Sequence, residues 1–233
     1  SESGAFRCES RFVPEQTAGM IVGIDASRNR SGGSHSHLIG LLSSADPRGW
    51  GIARVHVWTN SALAAKLPAA PWLIVHTPRE LNGPLLSQVW WQFRHLPIAI
   101  REAGCDVLFT TDASTVGRYH PSVVMSQDML SFEPGIMRQY GLSRQRLRLI
   151  AIGHLQVRAL RSADAAVFLT RYAARIIQQH TGPLRNVAII PHGISPTFRE
   201  VARTRSRSVA SDASFKVLYV SYMAMYKHQW NVV

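Results

Sequence analysis

Seven short apolar runs rich in β-branched residues limit this chain more than anything else in it. They are MIVGID (20–25), RVHVWT (54–59), WLIVHT (72–77), DVLFTT (106–111), SVVMSQ (122–127), AAVFLT (165–170) and VAIIPH (187–192). Between several of them lie longer stretches with helical spacing, at 34–42, 85–103, 142–162 and 171–179. Nearly uninterrupted apolar strands have no face left for water, so they belong in a parallel sheet covered by helices on both sides. The predicted fold class is therefore α/β, a mostly parallel sheet with helices on both faces and right-handed crossovers. Such sheets bind ligands beyond the carboxyl ends of their strands. That rule draws attention to the residues just after each run: Arg28 to Gly33, Asp128, Arg171 and His192-Gly193.

The remaining features narrow the class. The 233 residues are 46% hydrophobic, which fits a globular chain with a real core. No run reaches the roughly 20 apolar residues that span a bilayer, and residues 1–19 hold no apolar core of signal-peptide length. We read 1–19 as an N-terminal extension outside the fold and expect a cytoplasmic protein. Two cysteines, Cys8 and Cys105, are too few for a disulfide framework or a zinc knuckle; Cys105, before an apolar strand, reads as a small core residue. No metal site is expected.

Charge points to the partner's sign. Twenty-six Lys and Arg against fourteen Asp and Glu leave +12, which favours nucleic acid, acidic lipid headgroups or phosphorylated substrates. Nucleic acid is disfavoured, because no helix-turn-helix, RRM or zinc pattern is present and the basic residues do not alternate with aromatics. Trp90-Trp91, beside Phe93 in a helical stretch, read as core or acceptor-facing residues rather than base-stacking ones. The helix-spaced stretch 142–162 puts Arg144, Arg148 and Arg158 on one face, with Leu142, Leu149, Val157 and Leu160 broadly opposite. Such a face suits either solvent or an anionic membrane.

Five stretches carry candidate chemistry. In DASRNRSGGSHSHL, Gly32 and Gly33 precede a helix whose first amides and partial positive charge can receive an anion. The spacing is neither GxGxxG nor a P-loop, so a plain tight turn is the alternative. Gln127 and Asp128 end a strand; Asp128 could accept from or polarise a substrate hydroxyl, or cap the next turn. Thr170 is a natural N-cap for a helix opened by Arg171, which could meet an anion or solvent. Pro191-His192-Gly193 ends a strand at a turn, as a hinge or with His192 carrying a proton. Lys227 sits before a helix-like end and could neutralise a diphosphate. Residues 199–214 are polar and Arg/Ser-rich, a linker pattern, and a fresh strand, FKVLYVS, starts at 215.

In this order, the pieces SGGSHSHL, SQDM, SADAAVFLTRYAARII, VAIIPHGISPTF and KVLYVS…YKHQ resemble glycosyltransferase family 4 of the GT-B fold, nearest to bacterial lipopolysaccharide or O-antigen transferases. The resemblance covers residues 20–233. It implies an N-terminal acceptor-side Rossmann-like domain (20–198), a linker (199–214) and the start of a truncated donor domain (215–233). It implies retaining transfer of a mannose- or glucose-type hexose from a nucleotide-diphosphate sugar to a glycan or lipid-linked acceptor. No metal or cofactor is required, the sugar nucleotide being a substrate. Gly32 and Gly33 match the family's glycine loop, His192 and Gly193 its cleft turn, and Lys227 its phosphate-binding lysine; Asp128 is the catalytic candidate and Arg171 lies on the acceptor side. Gln127 stands where many members carry histidine. The family's paired glutamates would fall past Val233, so the chain as given is expected to be inactive. The competing readings are a non-catalytic partner subunit and an anion- or nucleic-acid-binding protein.

Overall fold

A computed structural model describes residues 19–30, 32–44, 46–194, 218–219, 223, 225–227 and 229–231. Seven strands form one sheet: β1 (Met20–Asp25), β2 (Ile52–Trp58), β3 (Leu73–His76), β4 (Val107–Thr110), β5 (Ser122–Ser126), β6 (Ala165–Phe168) and β7 (Val187–Ile189). Their order is β3-β2-β1-β4-β5-β6-β7, and every pairing is parallel. The order 3-2-1-4-5-6 is that of the doubly wound, Rossmann-like α/β fold.

Each strand shows alternate residues to opposite faces, and the sheet buries both. On one face Ile24, Val55 and Val57 pack under Leu38 and Leu42 of α1 (Gly33–Ser44) and Leu63 of α2 (Ser61–Ala64). On the other, Trp58 and Leu108 pack under Trp91 of α3 (Leu85–Arg94) and Leu96 and Ile100 of α4 (Leu96–Glu102). The same face continues over β5 and β6. There Phe132, Leu160 of α6 (Arg144–Ser162) and Ile176 and Ile177 of α7 (Arg171–Thr181) cover Val124, Ala166 and Phe168. A short α5 (Ile136–Gln139) precedes α6.

Two expectations need correction. The helix-spaced stretch 85–103 is two helices broken at His95. Pro97 causes the break, since it has no N–H to give the turn before it and its ring crowds that turn's carbonyl. Leu142 is fully exposed ahead of α6 rather than on its apolar side, whereas Leu149 and Leu160 are buried. Of the tryptophan pair, Trp91 enters the core and Trp90 faces out. Cys105 is a core residue, and burial pushes its thiol up to about 11. The 199–214 linker and most of the strand from 215 lie outside the described residues. Leu218 and Tyr219 have no regular structure, and 225–227 and 229–231 are single 3-10 turns. Among the described residues no helix is long and apolar enough to cross a membrane.

Candidate functional site

The chain turns toward β2 after β1 and toward β5 after β4, so the loops after β1 and β4 diverge and open a crevice at the strands' carboxyl ends. Its floor is a buried polar network. Asp25, the last residue of β1, is 2% exposed. Its Oδ1 accepts from the Ser27 amide at 3.1 Å, and its Oδ2 accepts from Gln92 Nε2 at 2.6 Å and Thr115 Oγ1 at 3.4 Å. Burial raises its pKa above the ordinary carboxylate value, Asp112 adds to the rise, and the donors from Ser27 and Gln92 oppose it.

The network reaches every neighbouring loop. Thr111, after β4, donates its Oγ1 hydrogen toward the Asp25 carbonyl and Asn29 Oδ1, both at 3.2 Å. The Asn29 carbonyl accepts from Asn60 Nδ2 at 2.7 Å and from His35 Nε2 at 3.0 Å. A carbonyl can only accept, so His35 carries its hydrogen on Nε2. Gln127 Nε2 donates to the Thr111 carbonyl at 3.0 Å, tying β5's end to β4's. Gln127 thus braces the crevice floor.

Arg28 and Arg30 staple the glycine loop to its neighbours. The mostly buried Arg28 donates from Nη1 to the Ser114 carbonyl at 2.6 Å and lies 3.9 Å from Asp112. Arg30 donates to the Gly83 carbonyl. Their guanidinium groups fix the loop's path. What that path presents is Gly32 and Gly33, both exposed. Gly32 adopts φ 72°, a left-handed conformation that favours glycine. A Cβ at either glycine would meet nothing within 4 Å, so the main chain here borders open space. Gly32 directly precedes α1 and carries no side chain, so an anion can approach the helix start closely.

A second candidate comes to the same helix. His192, beyond β7, places its Nδ1 2.8 Å from Nδ1 of His37 in the second turn of α1, with ring centres 4.4 Å apart. The His192-Gly193 turn and the glycine loop are thereby joined, although β1 and β7 are separated by three strands. Burial, then His192, holds His37 below the ordinary imidazole pKa.

The remaining candidates are Asp128, Arg171 and Lys227. Asp128 is exposed past β5, and its Oδ1 accepts from the Leu130 amide at 2.8 Å, the turn-capping role that was its alternative. Its backbone carbonyl accepts from Gln156 Nε2 at 3.2 Å. Arg171 opens α7 behind the Thr170 cap, whose Oγ1 accepts from Ala173 N at 3.0 Å. It lines a groove of about 560 Å³ with Ala174, Gln178, Val187 and Ile189. Lys227 lies in a 3-10 turn with its Nζ 5.2 Å from the centre of the Tyr226 ring. Among the described residues no three His, Cys, Asp or Glu side chains gather as a metal-binding group. Sequence reasoning missed the buried network, though its members other than Gln92 and His35 stand at the ends of the apolar runs: DASRN, TN, TTDAST and SQ.

No protein-family profile matches the chain, and no curated protein matches it. Among solved structures, a sucrose-phosphate synthase from Thermosynechococcus elongatus is similar, with a TM-score of 0.49 and 12% identity. The match covers 75% of this chain and 48% of that one, so the chain spans about half the length of that protein.

Proposed function

We propose that this chain forms the acceptor-side half of a glycosyltransferase that takes a hexose from a nucleotide-diphosphate sugar. The observation that carries the reading is the α1 start: exposed Gly32-Gly33 at the sheet's switch point, held by Arg28 and Arg30, with the His192 turn brought against the same helix. That geometry suits a diphosphate, whose oxygens take main-chain N–H donors and the helix's positive end.

In the transfer, the bond from the sugar's anomeric carbon to the diphosphate breaks and a bond to an acceptor oxygen forms. The acceptor hydroxyl passes its proton to the Asp128 carboxylate, and the departing nucleoside diphosphate takes up negative charge. N–H donors aimed at that charge lower the barrier. In this reading Gly32, Gly33, His192, Gly193 and Lys227 serve the donor. Asp128 meets the acceptor hydroxyl through the carboxylate oxygen not engaged by Leu130, and Arg171 stands on the acceptor side. Retention of configuration, a mannose- or glucose-type donor and a cell-surface glycan or lipid-linked acceptor made in the cytoplasm follow the family resemblance.

The test is the protein of the full reading frame, screened against UDP-, GDP- and ADP-sugars for protection from thermal unfolding, then for sugar transfer. Protection by one nucleotide class at 100 times its Kd is worth about 2.7 kcal/mol and supports the reading. No protection by any of them refutes it.

A further inference from the structure

Two pairs of histidines bring ring nitrogens within hydrogen-bond distance, and the pairs differ in shape. His56 Nδ1 lies 2.9 Å from His76 Nε2, with ring centres 5.2 Å apart and planes 14° from parallel. Those rings meet end to end, so each nitrogen's lone-pair direction runs along the line to the other. His37 Nδ1 and His192 Nδ1 are 2.8 Å apart, yet their ring centres are only 4.4 Å apart and their planes 57° from parallel. Rings that close cannot meet end to end. They lean, and the lone-pair directions leave the line between the nitrogens.

The surroundings favour one kind of ligand. His37 Nε2 is buried and has no hydrogen-bond partner among the described residues, so no described group fixes which nitrogen of that ring carries hydrogen. His192 and Gly193 are exposed, which opens the pair to solvent. Residues 26–44 and 187–194, the segments that carry the two rings, contain no Asp or Glu. The donor set is therefore imidazole alone. Mg2+ and Ca2+ take oxygen donors, whereas imidazole suits copper, nickel and zinc. A metal ion about 2.0–2.1 Å from each nitrogen spans their 2.8 Å separation with an angle near 90° between its bonds. That is the angle of a tetragonal or octahedral ion; tetrahedral zinc would need the nitrogens about 3.3 Å apart.

We propose that His37 and His192 form a two-imidazole site for a divalent transition-metal ion of tetragonal preference, Cu2+ above Ni2+. Both Nδ1 atoms lean toward one point, and water fills the remaining positions. On binding, the hydrogen between the two nitrogens moves to Nε2 of its own ring, and both Nδ1 lone pairs turn to the ion. One hydrogen bond is exchanged for two metal–nitrogen bonds. The ion takes no part in sugar transfer. It ties the chain leaving β7 to the second turn of α1, across 155 positions of sequence. In the proposed transfer His192 serves the donor, so a bound ion withholds it. That consequence rests on the donor reading; the binding of the ion does not.

The experiment is calorimetric titration of the tag-free full protein with CuCl2, NiCl2 or MgCl2, without nucleotide. One site is expected for Cu2+, the same site more weakly for Ni2+, and none for Mg2+. His37→Gln and His192→Gln should each weaken it by more than the roughly 10–100-fold that loss of an outer-shell partner costs. The double variant should be no worse than either single one, because one imidazole alone forms no chelate. His154→Gln, at an exposed position on α6, should leave the site unchanged. Nitrogen splitting in the EPR spectrum of bound Cu2+ should show two imidazoles in the parent and lose one in His192→Gln. Should His37→Gln fail to fold, His192→Gln at its exposed turn and the EPR spectrum carry the test. No Cu2+ or Ni2+ binding, parental affinity in His192→Gln, or equally tight Mg2+ binding overturns the proposal and leaves the pair a hydrogen-bonded clasp. A protein that binds the ion but no nucleotide keeps this site and loses the donor reading.

Discussion

Replacing Gln92 with leucine tests whether the buried network holds the crevice. Gln92 is 1% exposed and makes three bonds: Nε2 to Asp25 Oδ2 at 2.6 Å, Nε2 to Ser27 Oγ at 3.1 Å, and Oε1 from the Val116 amide at 3.0 Å. Leucine fits the space but leaves Oδ2 of a buried carboxylate with only the 3.4 Å contact from Thr115 and leaves the Val116 N–H without its acceptor. A lost bond to a charged group costs about 1.5–3 kcal/mol and a stranded amide about 1–3 kcal/mol, so the expected loss is about 3–5 kcal/mol. That is a large part of the roughly 5–15 kcal/mol holding a domain together. Urea unfolding measures it, with Gln156→Leu as comparison: Gln156 makes one 3.2 Å bond to the Asp128 carbonyl, and its buried Oε1 has no partner, so that change should cost less than about 1 kcal/mol. The pH dependence has a definite sign. Asp25 already titrates above its ordinary value of 3.8, and removing its Gln92 donor raises it further. The charged form suffers the loss, so the gap between parent and Gln92→Leu is full where Asp25 is ionised in both and shrinks as pH falls through the variant's raised value. A gap below about 1 kcal/mol, or one that widens on acidification, would refute the reasoning.

Three further outcomes follow. His37, His56 and His76 are all held below the ordinary value of 6.5, burial being the largest cause. Their unfolded forms therefore bind protons first, so stability is full above that value and declines as pH falls below it; urea midpoints that rise on acidification from about pH 7 to about pH 5 would contradict this. Thr170→Ala removes the α7 cap and should cost about 1 kcal/mol in the same assay, with no effect on nucleotide binding. Gly32→Ala should cost about 1–2 kcal/mol from its positive φ alone, whereas Gly33→Ala, with open space around its Cβ and no such φ, should leave the melting temperature unchanged.

How much of this was legible in the residues depended on whether one element or several were involved. β1 matches MIVGID residue for residue, and β4 to β6 stay within their apolar runs, because parallel strands buried on both faces leave little freedom in composition. Gly32-Gly33 at the start of α1 was legible for the same local reason. The break at His95 was written in Pro97 but hidden by the helical spacing around it. The Asp25 network was not legible, because it joins residues 25, 29, 60, 92, 111 and 115, and polar side chains at strand ends look alike whether they face solvent or one another. Helix α3 hides its inward side for a related reason: Gln88 and Gln92 go inward beside Trp91 because the Gly83 carbonyl and Asp25 accept from them there. The meeting of His37 and His192, 155 positions apart, depends on how the chain leaves β7.

The central claim is that main-chain amides at the start of α1 receive a diphosphate. Hydrogen exchange of the full protein, with and without UDP, GDP or ADP, tests it most directly. The account predicts slowed exchange in the first turn of α1 and in residues 191–194, abolished by Gly33→Val. Unchanged exchange there, or slowing confined to the groove between α7 and β7, would contradict it.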